Sequence, residues 1–198
     1  DICTDESLRA ELLDSMRAQA DYLLAHFGPG KADLRKASGH WEGLNSSSVL
    51  EPVVRLYNMT GERKYLDFAG YIVGLGGILS ANIFELALED ELDPWQYPVT
   101  KAYEMMSCFE GLLEYARATG EERWSRAVVN FAHRVLSSDI TIIGSAGCTH
   151  ELFDHSRLRQ ADPEFTGIMQ ETCVTVTWMK LCGQVLRFTG DSVFGDAM

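Results

Sequence analysis

Apolar residues recur along this chain with the period of a helix. Leu8, Leu12, Met16, Leu23 and Phe27 share one face of a first predicted helix, which Gly28-Pro29-Gly30 closes. Val49, Leu50, Val53, Val54 and Tyr57 mark a second. Ala102, Met105, Met106, Phe109, Leu112, Leu113 and Ala116 follow i, i+3, i+4, i+7 spacing. So do Trp124, Ala127, Val128, Phe131 and Val135, and later Val174, Trp178, Leu181, Cys182 and Val185. The alternation Cys173-Val-Thr-Val-Thr-Trp178 would also suit the start of a strand, but the long periodic run behind it favours helix.

One corner returns three times between these helices: Asn58-Met59-Thr60-Gly61-Glu62, Arg117-Ala118-Thr119-Gly120-Glu121 and Arg187-Phe188-Thr189-Gly190-Asp191. Glycine accepts the left-handed conformation that ends a helix, and the acid behind it suits the positive end of the next one. An aromatic three or four residues on (Tyr65, Trp124, Phe194) is placed to dock into the hairpin. Corners about 60 to 70 residues apart predict stacked antiparallel helix pairs. The fold class is therefore all-α, either an open solenoid or a closed (α/α) toroid. The looser segments 31–48, 89–99 and 137–170 gather opposite the corners, where a pocket would be built.

Composition narrows the partners. The 198 residues suffice for one domain, and 46% hydrophobic with 23% charged residues is ordinary for a globular chain. A formal net charge of −12 argues against nucleic acid or an anionic membrane surface, and leaves a neutral sugar as a compatible ligand. Five scattered cysteines read as reduced thiols, which leans toward the cytoplasm over the periplasm. The most hydrophobic stretch, 71–88, is broken by Gly74, Gly76, Gly77, Ser80 and Asn82, too short a run to span a bilayer. A start at Asp1 and an end at Met198, just inside another helix, suggest a piece of a longer protein.

The chemistry concentrates in 148–173. Cys173 lies in the first turn of its helix, where unpaired N–H groups and the helix dipole favour a thiolate, and Glu171 sits in the cap beside it. The plain alternative is a capping glutamate and an inert cysteine. Glu151 follows a Gly-rich turn and precedes Leu152-Phe153, and a carboxyl flanked by apolar groups has its pKa raised toward a useful general acid. It could equally be a solvated loop residue. His150 and His155 are possible ligands or substrate contacts, whereas Cys148 and Cys182 read as structural. His40-Trp41-Glu42 and Trp95-Gln96-Tyr97 offer platforms for a sugar face, with Tyr103 and Glu104 opening the next helix. Asn45 and Ser46–Ser48 read as helix caps, and the sequon Asn58-Met59-Thr60 falls at a helix end and is discounted.

The strings 56–69 (LYNMTGERKYLDFA), 101–107 (KAYEMMS) and above all 170–182 (QETCVTVTWMKLC) resemble glycoside hydrolase family 127, the β-L-arabinofuranosidase type. The resemblance implies an (α/α)6 barrel followed by β-domains, with residues 1–198 forming the N-terminal part of the barrel. It implies retaining hydrolysis of terminal L-arabinofuranose-like sugars, with Glu151 as acid/base and a cysteine nucleophile on zinc. Glu171 and Cys173 would be zinc ligands, with His40, Trp41, Tyr103 and His150 near the sugar. The remaining cysteine pair, nucleophile included, would lie beyond Met198, so the 198 residues alone are expected to be inactive and metal-free. Where family members of that activity carry a histidine, this chain has Ser47-Ser48, which changes the pocket.

Three rivals remain open. Glu151 and Glu171 could be a metal-independent carboxylate pair, roughly 5 Å apart for retention or 6.5–9.5 Å for inversion. A sugar epimerase would need facing histidines, for which His40 and His133 are the candidates. A non-catalytic carbohydrate-binding module would point Glu151 to solvent.

Overall fold

A computed structural model of the chain describes residues 4–147, 151–167 and 171–198. The predicted helices form α1 (Glu6–His26), α3 (Leu50–Thr60), α6 (Ala102–Thr119), α7 (Glu122–Ser138) and α9 (Thr172–Thr189). Between them lie α2 (Leu44–Ser47), α4 (Arg63–Leu75), α5 (Ile83–Glu89), α8 (Ser156–Arg159) and α10 (Val193–Asp196). Among the described residues there are isolated bridges but no strands, and residues 173–178 are helical.

All three corners use the same local chemistry. Gly61, Gly120 and Gly190 have φ of 70, 77 and 73°. At each, the preceding threonine hydroxyl donates to the carbonyl four residues back: Thr60 to Leu56, Thr119 to Tyr115 and Thr189 to Val185. The same oxygen accepts the N–H of the acid beyond the glycine, Glu62, Glu121 or Asp191. The threonine thus satisfies one orphan group on each side of the corner. Tyr65, Trp124 and Phe194 then insert into the core.

The hairpins α3–α4, α6–α7 and α9–α10 stand side by side, with α3, α6 and α9 forming one layer in which α6 is central. This is the arrangement of part of an (α/α) barrel. Gly111, in mid-helix, is what lets α6 approach the start of α3. A Cβ there would lie 2.6 Å from the Glu51 nitrogen and 2.8 Å from the Leu50 Cβ. Behind this contact Phe109 stacks on Phe131 at 3.7 Å and meets Phe84 edge-on at 5.5 Å.

Two expectations change. Leu8 and Leu12 are 44% and 52% exposed, because α1 packs on the core through Leu13, Met16, Leu23 and Leu24. Nor do residues 45–48 cap α3, whose N-cap Val49 receives no side-chain hydrogen bond; Ser47 is buried and donates to Gly43 and Gly77 carbonyls. No helix among the described residues is long and apolar enough to cross a membrane.

A Cβ on Gly120 would meet open space, so the cost of a side chain there is the left-handed backbone alone. Gly120→Ala should lower unfolding free energy by about 1 kcal/mol and Gly120→Asn by less, read from urea denaturation midpoints.

Candidate functional site

The site is built where the return segment after α7 crosses the starts of α6 and α9. Buried Asp139 accepts the N–H groups of Asp154, His155 and Ser156 at 3.0, 2.9 and 3.2 Å, which folds the segment back on itself. A bridge between Ile140 and Ala146 closes its first turn. The Glu171 N–H donates to the Ala146 carbonyl and the Ala146 N–H to the Thr175 hydroxyl, both at 3.2 Å. The Phe153 N–H donates to the Thr100 carbonyl at 2.8 Å, Leu152 bridges Lys101, and the Phe153 ring is buried edge-on to Phe131.

These tethers bring Glu151, Glu171 and Cys173 together, with one oxygen or sulfur from each within 4.8 Å of the others. Glu151 sits at φ 63°, a conformation a non-glycine residue adopts only when its surroundings hold it there. Glu171 is the N-cap of α9 but makes no capping hydrogen bond, leaving its carboxylate for other work. Carboxylate and thiolate are both ordinary zinc donors. Ligand atoms on tetrahedral zinc stand roughly 3.5 Å apart, so this group needs only a small contraction to hold one.

The electrostatics differ from expectation in two respects. Glu151 does not sit among apolar groups: the Lys101 ammonium hydrogen-bonds its carboxylate. The Lys101 side chain is 11% exposed, and its ammonium lies 5.5 Å from the centre of the Trp41 ring. Cys173 is not a ready thiolate. Burial, followed by the negative charges of Glu151 and Glu171, pushes the thiol up to about 11. Two carboxylates nearby outweigh the helix N-terminus.

From this group a cleft of about 520 Å³ runs between α6 and α9, lined by Tyr103, Ser107 and Glu110 on one side and Cys173, Val176 and Lys180 on the other. Lys180 spans Glu110 at 2.8 Å and Glu51 of α3 at 2.6 Å, and Gln184 donates to Glu51 at 3.1 Å. Glu110 is fully buried, and one of its oxygens finds no hydrogen-bond partner among the described residues. Burial first, and then the neighbouring Glu51 carboxylate, push Glu110 up to about 7 against the pull of Lys180.

Other predicted site residues scatter. Tyr103 is exposed on the cleft wall. Trp41 and Glu42 occupy a left-handed turn (φ 50 and 54°) that Leu79 and Ser80 hold by donating to the Glu42 carbonyl and carboxylate. His40 opens that turn, exposed and off the cleft wall. His150 and Cys148 lie outside the described residues. Trp95 stacks on His155 at 5.0 Å in a separate hollow, so one face of that platform is taken. His133 lies against Phe194 and Asp191 at a Thr-Gly corner, and cannot face His40 across a pocket. Lys101, Glu51, Glu110 and Lys180 were not anticipated. The one available signal was Glu110, a charge inside the apolar run Cys108–Leu113.

The sequence matches the β-L-arabinofuranosidase GH127 catalytic domain over residues 6–198. The chain belongs to that family. Solved structures similar to it include a GH127 β-arabinofuranosidase (20% identity, TM-score 0.65, 90% of this chain and 27% of that one). A GH127 β-L-arabinofuranosidase from Geobacillus stearothermophilus aligns with 19% identity and a TM-score of 0.61 over 94% of this chain and 31% of its own. A further glycoside hydrolase aligns at 14% identity, TM-score 0.60, over 85% and 29%. At these identities the likeness speaks for the fold. This GH127 chain spans less than a third of the length of each of these structures. No curated protein matches it.

Glu110 yields a pH test. Native Glu110 holds its proton more tightly than the unfolded chain does, so its contribution to stability is complete below about pH 4.5 and is lost as pH rises through about 7. Glu110→Gln should therefore gain relative to wild type between pH 5 and 8, by on the order of 1 kcal/mol, measured as the change in unfolding free energy across that range.

Proposed function

We propose that this chain is part of a retaining glycoside hydrolase acting on terminal L-arabinofuranose-like sugars of plant-type glycans. Glu151 is its acid/base, and Glu171 and Cys173 are two of its zinc ligands. The observation that carries this reading is the convergence of those three groups, two of which line one cleft, on a chain of the GH127 family.

Protonated Glu151 donates to the departing glycosidic oxygen and, as the carboxylate, later takes a proton from the water that releases the sugar. Its place beside Glu171 and Cys173, which line the cleft, suits a group that must reach the scissile oxygen and then the incoming water. Glu171 and Cys173, adjacent on the first turn of α9, are held in register by the tie to Ala146. Zinc held there would lower the pKa of a ligated thiol, and the nucleophile would be a further cysteine of the complete barrel, with Cys173 serving as a ligand. Tyr103 and Trp41, each partly exposed beside the group, are the contacts proposed for the sugar, with His40 and His150 assigned to its periphery.

A metal-independent carboxylate pair is the second reading, favoured by Glu151 and Glu171 oxygens within 4.8 Å of each other, which is compatible with the short separation of retaining enzymes and not with the longer one of inverting enzymes. A purely sugar-binding module is disfavoured, because Glu151 turns onto Lys101 and is only 33% exposed.

In a protein carrying the complete barrel, Cys173→Ser should abolish both bound zinc and hydrolysis of an aryl β-L-arabinofuranoside. An active, zinc-free variant would establish the carboxylate pair instead. Glu151→Gln should lower kcat by roughly 10²- to 10⁴-fold while zinc content holds. Because the Cys173 thiol is protonated at neutral pH, metal uptake should release about one proton there. Calorimetric titrations in buffers of different ionisation enthalpy, with zinc affinity rising between pH 6 and 8, would register it.

A further inference from the structure

We infer that Lys101 is a positioning residue whose ammonium keeps Glu151 out of the metal's coordination shell, so that this carboxylate stays available for proton transfer. The inference rests on the zinc reading above. By distance alone Glu151 would serve as a metal ligand as readily as Glu171, since each offers an oxygen within 4.8 Å of the same sulfur. A carboxylate bound to the metal could not exchange protons with substrate and water. What distinguishes the two glutamates is their other partners. Glu171 makes no capping hydrogen bond, whereas Glu151 is held by a cation.

That hold is built into the backbone. Lys101 is the N-cap of α6, and the bridge from Lys101 to Leu152 and the Phe153–Thr100 hydrogen bond lock the two segments side by side. The pair is therefore not two long side chains meeting by chance at a surface. Trp41, fixed in its left-handed turn, flanks the ammonium. Glu104, one turn along α6, adds a second carboxylate whose field reaches both Lys101 and Glu151. Drawing Glu151 onto a metal ion would take from the largely buried Lys101 ammonium a carboxylate that the backbone holds beside it, which is unfavourable. Glu151 thus stands beside the ion without ligating it.

The test is zinc affinity at pH 7.5 of a protein carrying the complete barrel, measured by competition with a chromogenic chelator, with no turnover needed. Lys101→Met should tighten zinc binding by about tenfold or more, as Glu151 is released to become an additional ligand. The double variant Lys101→Met/Glu151→Gln should return to the wild-type value. Glu151→Gln alone should change it by less than about twofold. Lys101→Arg, which keeps the ion pair and covers the case in which Lys101→Met does not fold, should match wild type. A tenfold loss in Glu151→Gln, or a gain in Lys101→Met that survives in the double variant, overturns the role assigned to Lys101 and leaves the zinc reading standing. Zinc binding that is undetectable in every variant, or is unaffected by Cys173→Ser, overturns both.

Discussion

The candidate site depends on one buried side chain. Phe153 packs into the aromatic cluster around Phe131 and Phe109, and its N–H is spent on the Thr100 carbonyl. Burial of a phenylalanine stabilises by about 2 kcal/mol, enough to fix a loop whose backbone would otherwise wander. Two residues earlier in the chain, Glu151 has little choice of position. Its left-handed φ is the local cost of bringing the carboxylate onto the side of Lys101 and Cys173 while Phe153 faces the core.

Asp139 serves the same end from the other side of the segment. A buried carboxylate that accepts three backbone N–H groups stiffens 154–156 far more than any surface contact could, and burial raises its pKa despite them. With both ends of the return segment fastened, the group at the helix mouths is preorganised without help from a ligand. The floor of the cleft follows a different logic. There α3, α6 and α9 each send charge into one space, Glu51, Glu110 and Lys180, and the Lys180 ammonium bridges two carboxylates that would otherwise repel, with Arg55 also paired to Glu51.

The helices were legible because a helix is a local object. Its 3.6-residue period, its capping acid and its terminal glycine lie within a few positions of one another. The repeated Thr-Gly-acid corner was legible for the same reason, although the hydroxyl that bonds to both sides of each glycine became visible only in three dimensions. Glu171 and Cys173 stood out as a pair because a single residue, Thr172, separates them at one helix mouth. Glu151 was singled out by its Gly-rich turn and apolar neighbours, and the cation that fifty positions of chain bring onto it was missed.

The sequence by itself determined that this is an all-α chain of paired helices and that a carboxylate stands beside a thiol at the mouth of α9. Tertiary structure decided which charges meet. Lys101 is fifty positions from Glu151, and Lys180 is seventy from Glu110, separations over which no periodicity operates. It also decided which way the Cys173 thiol shifts, because burial first and then the two carboxylates that the fold brings beside it both raise a sulfur's proton affinity.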